Sequence, residues 1–215
     1  LLHLGRTDMN AEKTYYAQAK ACTLSEAMNG ADMFLGLSGK DVINAAQVKT
    51  MAKDPVIFAC ANPDPEIAYP VAKEARPDCI MATGRSDFPN QINNVLGFPF
   101  IFRGALDVRS KVINEEMKIA AANALAELAK QPALPEVAAL YGVKELVYGI
   151  DYVIPKALDP RVLEWVSPAV AKAAMESGVA KNQLDLAQYK KDLAARMTES
   201  KRRTAMVVDS FGYDL

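Results

Sequence analysis

Two short apolar runs, each entered through a proline–aspartate or aspartate–proline pair, constrain the fold of this chain most strongly. The first spans residues 56–61 and is followed by Asn62, and the second spans residues 79–83. Runs of this length predict central strands of a parallel sheet that is covered on both faces. Because ligands of open α/β sheets bind beyond the carboxyl ends of the strands, Asn62 and the asparagine-rich residues 90–94 are candidate binding residues.

Helix-forming segments alternate with these strands and with an earlier predicted strand that ends near Gly36. Residues 42–51 and 66–75 are predicted to form the connecting helices. Thr23, with Glu26 three residues later, matches the capping box that begins a helix. This alternation predicts an α/β fold with right-handed crossovers, a Rossmann-like parallel sheet flanked by helices.

The second half of the chain is predicted to be helical. Residues 95–106 are apolar nearly throughout, which favours a helix that is buried on all sides. The alanine-rich residues 115–130 favour a long helix, with Ile119 on the face that packs into the core. A further helix is predicted at residues 161–177, and Pro168 is expected to kink or break it.

Composition excludes several classes of protein. With 51% hydrophobic residues, the 215-residue chain can build one sizeable core, whereas its apolar runs are too short to span a membrane. The formal net charge of −1 argues against binding of nucleic acid. Three cysteines, two of them in predicted strands, indicate reduced residues of a cytoplasmic protein.

Two long segments resemble the NAD(P)-binding domain of malic enzymes, most closely the bacterial type that is often fused to a phosphotransacetylase-like domain. They are ANPDPEI at residues 61–67 and ATGRSDFPNQINNVLGFPFIFRGALD at residues 82–107. The resemblance covers residues 1–197 and leaves residues 198–215 as a tail or linker of unknown role. It implies a fragment that lacks the first βαβ unit of the domain and the whole catalytic domain.

The resemblance also implies a reaction. The parent enzyme is expected to convert malate to pyruvate and CO2 by oxidative decarboxylation, with NADP or NAD as cofactor. A divalent Mg²⁺ or Mn²⁺ ion is expected to be bound by residues absent from this chain. No residue here matches the general base, general acid or metal ligands of the family, so the chain alone is predicted to be inactive. The full-length enzyme is expected to be a homo-oligomer.

Asparagine side chains form the centre of the candidate binding site. The resemblance implies that Asn62 lies at the nicotinamide and malate, and that Asn94, beside Asn93, contacts a substrate carboxylate. An amide both donates and accepts hydrogen bonds, which suits a binding site. Asparagine is also common in turns and at helix N-caps, so a purely structural role stays open. Gly36 and Ser38 are further candidates for cofactor binding, because glycine at a strand end lets a dinucleotide approach closely. An ordinary turn would need glycine as well.

Three other charged positions have simpler interpretations. The resemblance implies that NAD or NADP is selected around a strand end just before Leu1, and Arg6 is close enough in sequence to meet a 2′-phosphate, which favours NADP. Arg85 and Arg103 are expected to pair with nearby aspartates in structural roles. Two alternatives to the malic enzyme interpretation stay open, namely the NAD(P)-binding domain of an amino-acid dehydrogenase and a non-catalytic α/β assembly module.

Overall fold

The computed structural model describes the backbone of residues 1–211 and the side chains of residues 1–200. The chain divides into two compact units, Leu1–Ile92 and Asn93–Leu215. The predicted boundary between a domain and a tail at residue 198 is not marked by a helix end, because a helix runs through it to Phe211. The role of the predicted tail stays a prediction, and its last four residues lie outside the described part. Among the described residues, no helix has the length and apolarity needed to cross a bilayer.

The first unit contains the predicted parallel sheet. Its strands are β1 (Met33–Gly36), β2 (Val56–Ala59) and β3 (Ile80–Thr83), and they lie in the order β1-β2-β3. The side chains of Ile57 and Ala59 in the central strand are fully buried. The Rossmann-like α/β prediction is therefore confirmed for this unit, and the carboxyl ends of all three strands point in one direction.

Four short helices accompany the sheet: α1 (Ala11–Tyr15), α2 (Leu24–Met28), α3 (Ala45–Lys49) and α4 (Tyr69–Ala75). The predicted capping box of α2 is present, with both of its reciprocal hydrogen bonds. Helices α3 and α4 are shorter than predicted. Helix α4 begins three residues late because Pro70 occupies its first turn, and because Glu66 is held by contacts with other loops.

The second unit is helical, as predicted. A 3-10 turn at Asn94–Leu96 precedes α5 (Phe98–Asp107), α6 (Glu115–Ala129), α7 (Pro135–Leu140), α8 (Arg161–Glu176) and α9 (Leu186–Phe211). Apolar residues of these helices form one core, in which Val162, Val166, Met117 and Leu128 are fully buried. Packing of helix against helix therefore stabilises this unit.

The prediction that residues 95–106 are buried on all sides is wrong. Phe98, Phe102 and Leu106 are 66%, 44% and 63% exposed, and they lie one helical turn apart on one face of α5. The other face of α5 packs against α8, where a Cβ atom on Gly104 would lie 2.5 Å from the Ser167 carbonyl oxygen. Helix α5 is therefore amphipathic, and its glycine permits a close contact between helices.

One further expectation for this unit is wrong, and a second is wrong in part. Ile119 in α6 is 58% exposed, whereas Met117 and Leu128 are buried, so the core-facing stripe is rotated relative to the prediction. Helix α8 is continuous through Pro168, so the predicted break is absent, and the predicted kink stays a prediction. We attribute its continuity to burial on both sides of the proline, since Val166 and Val170 are fully buried.

Candidate cofactor site at the strand ends

Asn62 lies in the loop beyond the carboxyl end of β2, three residues after Ala59, on the side of the sheet that the sequence predicts. Its side chain is exposed, and its Nδ2 atom donates a weak hydrogen bond to the Cys60 carbonyl oxygen at 3.4 Å. A Cβ atom on Gly84, the first residue after β3, would lie 2.7 Å from Oδ1 of Asn62. Glycine at this position therefore makes room for the amide, which lies across the ends of two adjacent strands and is open to a ligand.

Glu66 joins the loops that follow β1 and β2. Its side chain is fully buried. The Oε1 atom accepts a hydrogen bond from the backbone N–H of Ser38 at 2.8 Å, and Oε2 accepts one from Ala61 at 3.1 Å. Sequence reasoning missed this role and assigned Glu66 to a helix. The available signal was an acid between Pro65 and Ile67 in the ANPDPEI segment.

Gly36 has a structural reason to be glycine. A Cβ atom there would lie 2.4 Å from the carboxyl carbon of Glu66. The space beside Gly36 is thus filled by a side chain of the same unit, and the residue is buried. The sequence assigned this glycine to the approach of a dinucleotide, and that assignment stays a prediction.

Ser38 is exposed in the loop after β1. Its backbone N–H is held by Glu66, while its hydroxyl is 3.4 Å from the same carboxylate oxygen, a long and weak hydrogen bond. The hydroxyl group can therefore turn to a ligand without loss of a strong contact. Its predicted role in cofactor binding agrees with this geometry and is not otherwise tested.

Electrostatics keep the Glu66 carboxyl group ionised. Burial raises the pKa of Glu66. Hydrogen bonds from the backbone N–H groups of Ser38, Ala61 and Glu66 itself together lower it by more than burial raises it, so the net pKa lies below the ordinary value of 4.5. Burial raises the pKa of the Cys60 thiol, and the negative charge of Glu66 adds to that effect. Glu66 is therefore ionised between these two loops, whereas Cys60 beside it stays a neutral thiol.

The loop after β3 is fixed by its own side chains. Arg85 forms two hydrogen bonds with Asp87, at 2.9 and 2.7 Å, which confirms the predicted structural pair. Asn90 is buried with a φ of 54° and donates to the Met81 carbonyl oxygen at 3.1 Å. Since the guanidinium of Arg85 is already paired, this arginine is not assigned to a ligand.

Asn93 and Asn94 open the second unit and have different environments. The Oδ1 atom of Asn93 accepts a hydrogen bond from the Val95 N–H at 3.0 Å, so Asn93 caps the 3-10 turn. The side chain of Asn94 is exposed. Asn62 belongs to the first unit, so the expectation that Asn62 and Asn94 bind one ligand stays a prediction.

A second polar cluster lies in the helical unit around Asp107. The predicted pair with Arg103 is confirmed. In addition, the Tyr189 hydroxyl donates to Asp107 at 2.7 Å, and Arg196 lies 3.3 Å from the same carboxylate. Burial and this hydrogen bond raise the pKa of Tyr189. Sequence reasoning missed the tyrosine because 82 residues separate it from its partner.

The family resemblance implies a divalent metal that is bound by residues absent from this chain, and the described residues offer no site for it. Within residues 1–200, no three or more His, Cys, Asp or Glu side chains come together in a way that could hold a metal ion. No chemical step is therefore assigned to a metal here.

Comparison with known proteins gives the family. A family model described as "Malic enzyme, NAD binding domain" matches residues 1–147. The NADP-dependent malic enzyme of Halomonas elongata is 54% identical over 182 residues, which cover 84% of this chain and 43% of that protein. The NAD-dependent malic enzyme of Rhizobium meliloti is 50% identical over 182 residues, covering 84% of this chain and 24% of that protein.

Solved structures agree with the sequence relatives. The crystal structure of Entamoeba histolytica malic enzyme superimposes with a TM-score of 0.82 at 34% identity, covering 98% of this chain and 43% of that one. The chain thus spans less than half the length of the relatives that it matches. The resemblance drawn from the two long segments is confirmed, and the chain belongs to the malic enzyme NAD-binding domain family.

Proposed function

We propose that this chain is the NAD(P)-binding part of an enzyme that converts malate to pyruvate and CO2 by oxidative decarboxylation. The observation that carries the proposal is Asn62, an exposed amide at the carboxyl end of the central strand, which the space beside Gly84 accommodates. Ligands of parallel sheets bind at such strand ends. The family match and the names of the two relatives support the same reaction.

In the proposed reaction, the residues of this chain bind the cofactor and malate and orient them relative to each other. The nicotinamide ring, when bound, accepts the hydride that malate loses. Asn62 holds the nicotinamide ribose and the malate beside it, since an amide can donate to a carboxylate and accept from a hydroxyl at once. Asn94 donates to a malate carboxylate, with Asn93 as the cap that orients the turn. Ser38 offers a hydroxyl to the cofactor.

The proposal includes both NADP and NAD, because the two relatives differ in the cofactor that they are named for. Arg6 was the sequence argument for NADP. Its guanidinium donates to both carboxylate oxygens of Asp8, at 2.7 and 2.5 Å, so a 2′-phosphate would have to compete with that aspartate. Each binding test should therefore titrate the protein with NADP and, separately, with NAD.

The test is a hybrid enzyme. The 182-residue segment of the Halomonas elongata relative that matches this chain is replaced by the corresponding residues of the chain. We expect the hybrid to form pyruvate from malate with NADP or NAD. Asn62→Ala and Asn94→Ala should each lower kcat/KM by about 10- to 100-fold, the value of one hydrogen bond to a charged group.

The matched control is Asn182→Ala, which removes an exposed amide far along the chain from either site and should leave kcat/KM unchanged. A folded hybrid that oxidises glutamate or leucine, and not malate, would favour the amino-acid dehydrogenase alternative. A folded hybrid that binds no cofactor would favour the assembly module. The 215-residue chain alone should form no pyruvate, and measurable formation would contradict that part of the proposal.

Four smaller expectations remain parts of this proposal. They are homo-oligomerisation of the full-length enzyme, a cytoplasmic location, and the lack of nucleic-acid and membrane partners. Support for the second comes from the three cysteines, all of which are free thiols.

A further inference from the structure

Among the buried polar residues described in the first unit, Glu66 is the one that carries a charge. A buried charge is costly unless hydrogen bonds or an opposite charge compensate for it. Within residues 1–200, Glu66 forms no ion pair, and its compensation comes from N–H groups of Ser38 and Ala61 and from the Ser38 hydroxyl. A carboxylate retained at this cost therefore serves the two loops that it contacts.

Each carboxylate oxygen holds a different loop. Oε1 holds the loop after β1 through Ser38, and Oε2 holds the loop after β2 through Ala61, which directly precedes Asn62. The backbone of Glu66 adds a third contact, because its carbonyl oxygen accepts from the Ile43 N–H at 3.2 Å. One side chain thus fixes the spacing between two strand ends.

Gly36 is shaped to admit this carboxylate. Any Cβ atom at Gly36 would lie 2.4 to 2.7 Å from the three carboxyl atoms of Glu66. The neighbouring Gly39 has nothing within 4 Å of such an atom. Gly36, the last residue of β1, therefore accommodates Glu66, whereas Gly39 in the loop that follows does not.

We propose that Glu66 is a positioning residue for cofactor binding, which holds Ser38 and Asn62 at the spacing that the bound nicotinamide cofactor requires. This inference rests on the proposed function, since it takes the strand ends to be the cofactor site. It assigns to Glu66 no contact with cofactor or substrate. Its effect passes through the two backbone N–H groups.

Glu66→Gln tests the proposal at nearly constant volume. An amide has one acceptor oxygen, so it cannot accept from the Ser38 and Ala61 N–H groups with both of its ends. In the hybrid enzyme of the preceding subsection, we expect faster hydrogen exchange at the Ser38 and Ala61 amides and an approximately tenfold higher Kd for NADPH. Glu74→Gln, which changes an exposed glutamate on α4, should alter neither quantity.

Gly36→Ala is the second variant and keeps the carboxylate intact. The added methyl group displaces Glu66 from its partners, so the same two amides should exchange faster and the Kd for NADPH should rise. Gly39→Ala, with open space around its methyl group, is its control. The second variant keeps the test decisive if Glu66→Gln fails to fold.

The outcomes separate the two proposals. Unchanged exchange at Ser38 and Ala61 in both variants would overturn the bracing role, and faster exchange with an unchanged Kd would overturn the positioning role. If the unsubstituted hybrid enzyme binds neither NADPH nor NADH, the proposed function fails and the positioning role fails with it. The exchange rates then still show whether Glu66 holds the two loops.

Discussion

Both units of this chain have an apolar core, but the strand ends of the first unit and the helix contacts of the second unit are held in different ways. In the first unit, buried polar side chains at the strand ends, Glu66 and Asn90, form hydrogen bonds to backbone groups of other segments. In the second unit, apolar stripes of helices pack together, and Gly104 permits the closest contact. The comparison indicates that the candidate site is fixed mainly by directional hydrogen bonds, whereas the core between α5, α6 and α8 is fixed mainly by shape and burial.

This difference has a consequence for function. Hydrogen bonds between a side chain and a distant loop fix the direction of neighbouring groups, which a binding site requires. Close packing of methyl and methylene groups stabilises without fixing polar groups in this way. Substitutions in the apolar helix core of the second unit should therefore change mainly stability, and substitutions at the strand ends should change stability and ligand binding together.

The largest effect is expected from Leu128→Ala in α6. Leu128 is fully buried in the core of the second unit, so truncation should lower the free energy of unfolding by about 3 kcal/mol. Leu140→Ala is the control, since that leucine is 65% exposed. Denaturant unfolding measures both. Equal losses in the two variants would contradict the assignment of this core.

Gly104→Ala is expected to have the next largest effect. The new methyl group would lie 2.5 Å from a backbone oxygen of α8, and overpacking of this kind should cost about 2 kcal/mol. Gly97→Ala places its methyl group 3.5 Å from the nearest side chain, an ordinary contact. Thermal unfolding of the two variants compares them, and a Gly104→Ala protein as stable as the parent would show that the α5–α8 contact is not tight.

Glu66→Gln should lower stability by about 1.5 kcal/mol at pH 7, because one buried N–H loses its acceptor. The pKa of Glu66 is lowered in the folded state, so its contribution is fully present above the unfolded-state value of 4.5. That contribution is lost as the pH falls from 4.5 through the folded-state pKa.

Unfolding free energies of the parent and the Glu66→Gln variant, measured from pH 7 to pH 3, test this sign. The two curves should converge towards the acid end. A constant difference across the whole range would indicate that the carboxylate charge does not contribute.

The smallest effect is expected from Thr23→Ala. It removes the side-chain cap of α2, in which Oγ1 of Thr23 accepts from the Glu26 N–H at 3.2 Å. Loss of such a cap should cost about 1 kcal/mol. Thr7→Ala, at an exposed position outside any helix, should cost nothing measurable in the same unfolding assay.

Local features of the fold could be predicted from the sequence. Examples are the strands around residues 56–61 and 79–83 and the capping box at Thr23. Each depends on residues that are neighbours in sequence, so its pattern can be recognised in the sequence. The two long segments also carried enough ordered identity to give the family. For the same reason, the pairs of Arg85 and Arg103 with nearby aspartates were predictable.

Features that depend on distant residues were not predictable. Gly36 and Glu66 are 30 positions apart, and nothing near either residue reveals that one fills the space beside the other. The apolar residues of α6 were predicted to recur with the helical period, which is right. The predicted buried face included Ile119, which is exposed, because the packing of α8 decides which face of α6 is buried. The prediction that α5 is buried on all sides was wrong because apolar composition alone does not reveal which face of a helix is exposed.

The central claim is that the carboxyl ends of the strands bind the nicotinamide cofactor. The most direct measurement is a titration of the 215-residue chain with NADPH and with NADH, followed residue by residue through backbone amide NMR shifts. The account predicts the largest shifts at Ser38, Asn62 and Gly84, with little change around Tyr189. Largest shifts around Tyr189 and Asp107, with none at the strand ends, would contradict it.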